Sequence, residues 1–161
     1  MKKTSRILWV GALALALASL VAATAGMPIQ VGVFGGNAQI FSPETEITGL
    51  RLNLVYGEND DMTGLDLGIV GNGGSISGIR LNAINLSNER SAGLEFGLVN
   101  VAKGEMKGWQ CGIFNHAGAM RGFQLGVINR CGSLYGIQLG LVNMIETGTV
   151  GMLPIISWAF E

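Results

Sequence analysis

Between Gly49 and Val150 the apolar positions keep a fixed rhythm. Apolar residues stand one, three and five places after a recurring glycine, as in Leu94, Phe96 and Leu98, or Phe123, Leu125 and Val127, or Ile137, Leu139 and Leu141. Alternation with period two marks a strand, because successive side chains leave opposite faces of an extended chain. Polar or small residues fill the gaps, such as Gln124 and Gly126, or Gln138 and Gly140. An asparagine follows at Asn85, Asn100, Asn115, Asn129 and Asn143, and two places later a small residue at Ala102, Ala117 and Cys131. One more apolar side chain precedes most of the glycines by two places, at Ile47, Met62, Ile76, Met106, Met120 and Leu134. A helix is excluded. Every unit carries a glycine where a helix interior would lose about 1 kcal/mol, and β-branched residues are common.

The rhythm is a repeat. Units begin at Gly49, Gly64, Gly78, Gly93, Gly108, Gly122, Gly136 and Gly151, in steps of 14 or 15 residues. The best copies read GLEFGLVNVA, GWQCGIFNHA, GFQLGVINRC and GIQLGLVNMI. The last unit, GMLPIISWAF, is degenerate and carries Pro154, as an end strand can.

Two all-β architectures accommodate such units. The first is a β-solenoid of about seven to eight coils of 14–15 residues, with equal positions stacked along the axis about 4.8 Å apart. This reading sends the Leu, Phe and Ile of the first strand sites inward, together with the small Ala and the Met, Ile or Leu before the next glycine. It turns a corner at Thr48-Gly49 and at Arg121-Gly122, where glycine takes backbone angles closed to other residues. Each Asn bonds its counterpart in the next coil. The Gln110, Gln124 and Gln138 column then forms a flat outward strip. Beside it runs a second apolar column, Val55, Val70, Ile84, Val99, Phe114, Ile128 and Val142, either a second core wall or an exposed binding stripe.

The alternative is an eight-stranded antiparallel up-and-down β-barrel in an outer membrane, a pore or an anchor, with Leu and Ile facing lipid. Equally short connections at both ends, an apolar residue that would fall in each hairpin loop, and the lack of two aromatic girdles count against it.

The flanks divide the chain further. Lys2, Lys3 and Arg6 precede an apolar run from Ile7 to Ala22 and the small residues Ala23-Thr24-Ala25, so residues 1–25 read as an export signal cleaved before Gly26. Residues 26–48 read as a cap, with the stretches PIQVGVFGG and AQIFSP as two short strands joined at Gly35-Gly36. Residues 49–150 form the repeat domain. Residues 151–161 form a closing strand, its edge blunted by Pro154.

Composition narrows the partners. Removal of the signal leaves seven basic against eleven acidic residues, a net charge of −4 with no basic cluster, which argues against nucleic acid and anionic membrane surfaces. Sparse charge and high hydrophobicity exclude disorder, and glycine lacks the strict triplet period of collagen.

With these units in hand, the chain resembles a family of bacterial surface-repeat proteins known from spirochaetes and Bacteroidetes. The likeness rests on GLRLNLVYGENDDMTGLDLGIV, the tandem GxQxGxxN units and the terminal LPIISWAF, and covers about Gln39 to Phe160. It implies export and a cell-surface location, and says nothing of an activity. The chain departs from the pattern at Gly71, where Asn is expected, and at Cys111, where Leu is expected.

Candidate chemistry is thin. His116 is the single histidine, and it occupies a variable site held elsewhere by Val101, Arg130 or Met144, with no nucleophile or carboxylate at a meaningful spacing. Cys111 and Cys131 stand in different columns, so they read as buried thiols before they read as a disulfide. Asn59, Asp61, Thr63 and Gly64 match the first half of a calcium loop, but its twelfth position is Val70 instead of Glu. GNGGSISG lacks the aspartate of calcium-binding nonapeptides, and no threonine column suits an ice surface. No catalytic, cofactor or metal-ligating residue is assigned. The sequence reads as an exported, non-catalytic scaffold of the periplasm, outer membrane or cell surface, with a structural or binding role. No partner is assigned; an exposed apolar and Gln stripe would be the surface for a protein or other component of the cell envelope.

Overall fold

A computed structural model describes residues 29–35, 38–148 and 151–160. The export signal read on residues 1–25 lies outside the described residues. Among the described residues every regular element is a strand. In chain order the elements are β1 (Ile29–Phe34), β2 (Ile47–Phe96), β3 (Val99–Ile145) and β4 (Met152–Ala159), joined as one sheet in the order β1-β2-β3-β4. Strands of 50 and 47 residues cannot run straight through a domain of this size. They wind, and extended hydrogen bonding continues round the corners.

The pairing is that of a β-solenoid. β2 and β3 are parallel, with Gly93 beside Gly108, Leu94 beside Trp109 and Asn85 beside Asn100. The register offset is one repeat, so each unit is one coil and identical positions stack. Parallel neighbours rule out the up-and-down barrel, in which adjacent units alternate in direction. At the start, β1 lies parallel to the first coil, Ile29 beside Leu50 and Val31 beside Leu52. The second expected cap strand is reduced to a single bridge, Gln39 to Gly32, within a return loop. At the end, β4 reverses and pairs antiparallel with the seventh coil, Trp158 beside Ile137 and Ile156 beside Leu139. The unit at Gly151 is therefore a closing strand and not an eighth coil. Pro154 falls at the register shift opposite Gly140 and Asn143, where no ladder bond is demanded of it.

The glycine that opens each coil bends the chain. Gly122 has φ +134°, and a Cβ there would run into the carbonyl oxygen of Gly108 one coil below. Its counterparts from Gly49 to Gly136 share the conformation. The corner at Thr48-Gly49 and Arg121-Gly122 is where the sequence placed it.

The direction of the strand faces is the reverse of the expectation. Gln110, Gln124 and Gln138 are fully buried, while Leu98, Leu125 and Leu141 are 57, 52 and 69% exposed. The reason is the position of one break of phase. A closed coil alternates in and out until a corner puts two neighbours outward together. The sequence reading placed that break at Arg121-Gly122. The structure places it six residues on, as at Ile113-Phe114 after Lys107-Gly108, both of which escape burial before Asn115 turns inward. Gly122 bends without changing phase. The Met, Ile and Leu before each glycine and the small Ala or Cys remain inside, as expected. Met106, Met120, Leu134, Ala102, Ala117, Cys131 and Ile145 form one apolar cluster, and Ile47, Met62 and Ile76 another. The bore is thus apolar along one wall and polar along the other.

Candidate functional site

The polar wall consists of two ladders. The first occupies the position two after each glycine. Arg51 donates from Nε to Asp66 Oδ1 at 3.0 Å and from Nη2 to Oδ2 at 2.7 Å. Arg80 donates from Nε to Asp66 Oδ2 at 3.1 Å and from Nη1 to Glu95 Oε1 at 3.0 Å. Gln110 then donates to Glu95 Oε2 at 2.9 Å, Gln124 to Gln110 at 2.8 Å and Gln138 to Gln124 at 2.7 Å. Charges alternate along four rungs and cancel, and amides carry the column onward. The column ends at Gln138 Oε1, which has no donor among the described residues. Burial alone would raise the Asp66 pKa, but the hydrogen bonds and charges of Arg51 and Arg80 outweigh it and hold the carboxyl below its ordinary 3.8.

The second ladder is asparagine. Asn85, Asn100, Asn115 and Asn129 each donate to the Oδ1 of the next in line at 2.8 Å, ending on Asn143. Asn143 donates in turn to the Leu153 carbonyl of β4, which ties the closing strand to the column. The two ladders donate in opposite senses along the axis. Each amide of this second ladder both donates and accepts, so burial carries little penalty, and each bond is worth about 0.5–1.5 kcal/mol net.

Room for the asparagines comes from glycine. A Cβ on Gly112 would lie 2.7 Å from Asn100 Nδ2, and Gly126 and Gly140 stand in the same relation to their own neighbours. Gly71, where the pattern called for Asn, makes the opposite exchange. A Cβ there would meet Asp66 Oδ2 at 2.6 Å, Asn82 Nδ2 at 2.8 Å and Arg51 Nη2 at 3.2 Å. The ion ladder needs the volume an asparagine would take.

What the ladders leave outside is an apolar sheet face. Positions one, three and five of the seven coils, from Leu50, Leu52 and Leu54 to Ile137, Leu139 and Leu141, are apolar without exception, and none is buried. The departure at Cys111 keeps this rule, with a half-exposed thiol in a leucine column. Trp109 and Phe123, one rung apart, lie 5.4 Å between ring centres. β1 and β4 continue the columns at both ends through Ile29, Val31, Ile156 and Trp158. Along the next column, Val99, Phe114, Ile128 and Val142 are half-buried at the corner.

The residues singled out for chemistry do not come together. His116 is half-buried, its Nδ1 has no hydrogen-bond partner among the described residues, and burial followed by the Arg130 charge lowers its pKa. Cys111 faces outward and Cys131 inward, both free, and burial followed by the Glu146 charge pushes the Cys131 thiol up to about 12. In the acidic stretch Asn59 turns inward and donates to the Ser42 and Thr45 carbonyls, pinning the cap loop, while Asp60 and Asp61 stay in solvent. Among the described residues no cluster of three or more His, Cys, Asp or Glu side chains converges as a metal site would.

A cleft of about 540 Å³ lies at one margin of the face, between Lys107, Arg121, Phe123, Tyr135, Ile137 and Phe160. Both cations there are held by Glu105, at 3.1 Å to Lys107 and 2.8 Å to Arg121.

The sequence reading found the columns and missed the charged ladder. Its signal was the order Arg51, Asp66, Arg80, Glu95 at repeat spacing, alternating in sign at one position of the unit. Comparison with protein-family models, curated proteins and solved structures finds no match to the chain.

Proposed function

We propose that the protein is an exported, non-catalytic repeat scaffold that works at the bacterial cell surface or in the periplasm by docking through its apolar sheet face. The observation that carries this reading is the unbroken apolar composition of three outward columns over seven coils. Solitary exposed apolar residues are ordinary, but a contiguous patch of several hundred Å² marks an interaction surface. The polar wall of the bore supports the same reading. It pairs the amides internally and leaves leucine, isoleucine and aromatic side chains to meet a partner. Export rests on the Lys2, Lys3 and Arg6 cluster, the apolar run after it and Ala23-Thr24-Ala25. The likeness of the units to surface-repeat proteins of spirochaetes and Bacteroidetes supports the location.

Expression of the full chain in a Gram-negative host tests the proposal. The product recovered outside the cytoplasm is expected to begin at Gly26 and to fractionate with the envelope or periplasm. Combined Leu98→Glu, Ile113→Glu and Val127→Glu changes are expected to abolish docking while the strand signal in circular dichroism is kept. A chain retained uncut in the cytoplasm, or a triple variant that docks as well as the parent, contradicts it.

A further inference from the structure

We propose that the apolar face is occupied by the same face of a second copy of this chain, packed sheet on sheet as a two-fold dimer. The inference rests on the docking role assigned above and names its partner.

The first argument is area. With β1 and β4 the face has nine rungs, spanning about 38 Å at 4.8 Å per rung. Its outer columns are four residues apart, about 13 Å along the strand. With side-chain margins the face measures about 700–800 Å². A stable specific interface buries about 800 Å² on each partner. One face of this chain is therefore the size a dimer needs.

The second argument is shape. Because the coils are parallel and in register, each column is a ridge of like side chains repeating about every 4.8 Å, with a furrow between neighbouring ridges. A surface that fits this relief needs ridges of the same spacing and the same repeat along the axis. A second copy supplies both, and paired sheets of stacked identical residues interdigitate into dry interfaces on this principle.

The third argument is charge. The three columns hold no charged side chain, so a copy can approach in a face-to-face pose without burying an ion. A lipid surface of anionic headgroups asks for a basic rim. On the glycine-corner margin the outward positions are Thr48, Thr63, Ser77, Ala92, Lys107, Arg121 and Tyr135, and Glu105 engages both cations. That margin sets two cations against one carboxylate, a net of one positive charge, well short of the cluster of Lys and Arg that an anionic membrane surface recruits.

Sedimentation velocity of the purified protein, in buffer without detergent and over a hundredfold range of concentration, tests this. The parent is expected to sediment as a dimer. The Leu98→Glu, Ile113→Glu, Val127→Glu variant is expected to sediment as a monomer at every concentration, with unchanged circular dichroism. These side chains are exposed in the single chain, so the coil does not depend on them. Alkylation of Cys111, which lies in the face, is expected to slow at least tenfold in the dimer and to regain its rate in the triple variant. A parent that stays monomeric overturns the proposal, and so does a dimer that survives the triple change. Flotation with vesicles of phosphatidylethanolamine and phosphatidylglycerol, by a parent that sediments as a monomer, assigns the face to lipid and also overturns it. A monomeric parent whose envelope association still depends on Leu98, Ile113 and Val127 leaves the docking role standing and removes only the second copy as its partner.

Discussion

Arg51, Asp66, Arg80 and Glu95 fill the same column of the bore as Gln110, Gln124 and Gln138, yet the two halves are held by different physics. The upper half is ionic. Its order is fixed by sign, since each guanidinium must lie next to a carboxylate, and no rung can be exchanged alone. The lower half is neutral. Gln138 and Gln124 each donate to the glutamine before them, Gln110 joins the column to Glu95, and the neutral rungs are interchangeable. The upper half also demands neighbours of its own: Gly71 makes way for the Arg51–Asp66 pair, and Asn53 and Asn82 pack beside it. The comparison teaches that a narrow bore accepts polar groups of either kind when they are paired along the axis. The penalty for breaking a pair is what separates the two halves.

The largest expected effect follows from that penalty. Asp66→Ala leaves two buried guanidiniums without their shared carboxylate, and urea unfolding should show a loss of about 3–5 kcal/mol. Converting Arg51, Asp66, Arg80 and Glu95 together to Gln turns the upper half into a copy of the lower, and should recover at least half of that loss. In the lower half, Gln124→Ala removes the donor to Gln110 Oε1 and the acceptor for Gln138, and the same measurement should show about 1–3 kcal/mol.

Acid sharpens the contrast. The folded pKa of Asp66 lies below its ordinary 3.8, so its contribution is complete above that value and is lost as pH falls through the folded pKa. Urea midpoints of the parent should therefore drop below pH 3.8, and those of the four-Gln variant should drop less. The smallest effect concerns Cys131, which accepts from Gln138 Nε2 at 3.3 Å in the lower half. With its pKa pushed up to about 12, it should resist alkylation at about pH 8 until the chain unfolds. If Asp66→Ala exposes Cys131 as well, the halves unfold together. If it does not, the stack opens coil by coil.

Much of this was legible in the sequence. The glycine spacing gave the coils, the asparagines gave one ladder, and the isolated GMLPIISWAF gave the closing strand. The inside and outside of the sheet were not legible, and the reason is specific. Residues such as Phe123 and Leu125 alternate equally well with either face inward, and only the site of the phase break decides. Hydrophobicity pointed the leucines in. The closed coil instead admits Gln and Asn, because in-register stacking supplies each amide with a partner that an isolated strand cannot. A reading of the column Arg51, Asp66, Arg80, Glu95 by sign would have revealed this, since alternating charge one rung apart makes sense only where charges must neutralise one another.

The parallel in-register stack is the claim on which the rest depends, and pulsed electron resonance between spin labels measures it directly. Labels on Leu81 and Leu139 stand four coils apart, and labels on Leu52 and Leu139 six coils apart. With Cys111 and Cys131 replaced by Ser and Ala, and labelled chains diluted with unlabelled ones, the account predicts separations of about 19 and 29 Å, growing by about 4.8 Å per coil. Separations that fail to grow with the number of intervening units, as they would round a closed barrel, would contradict it.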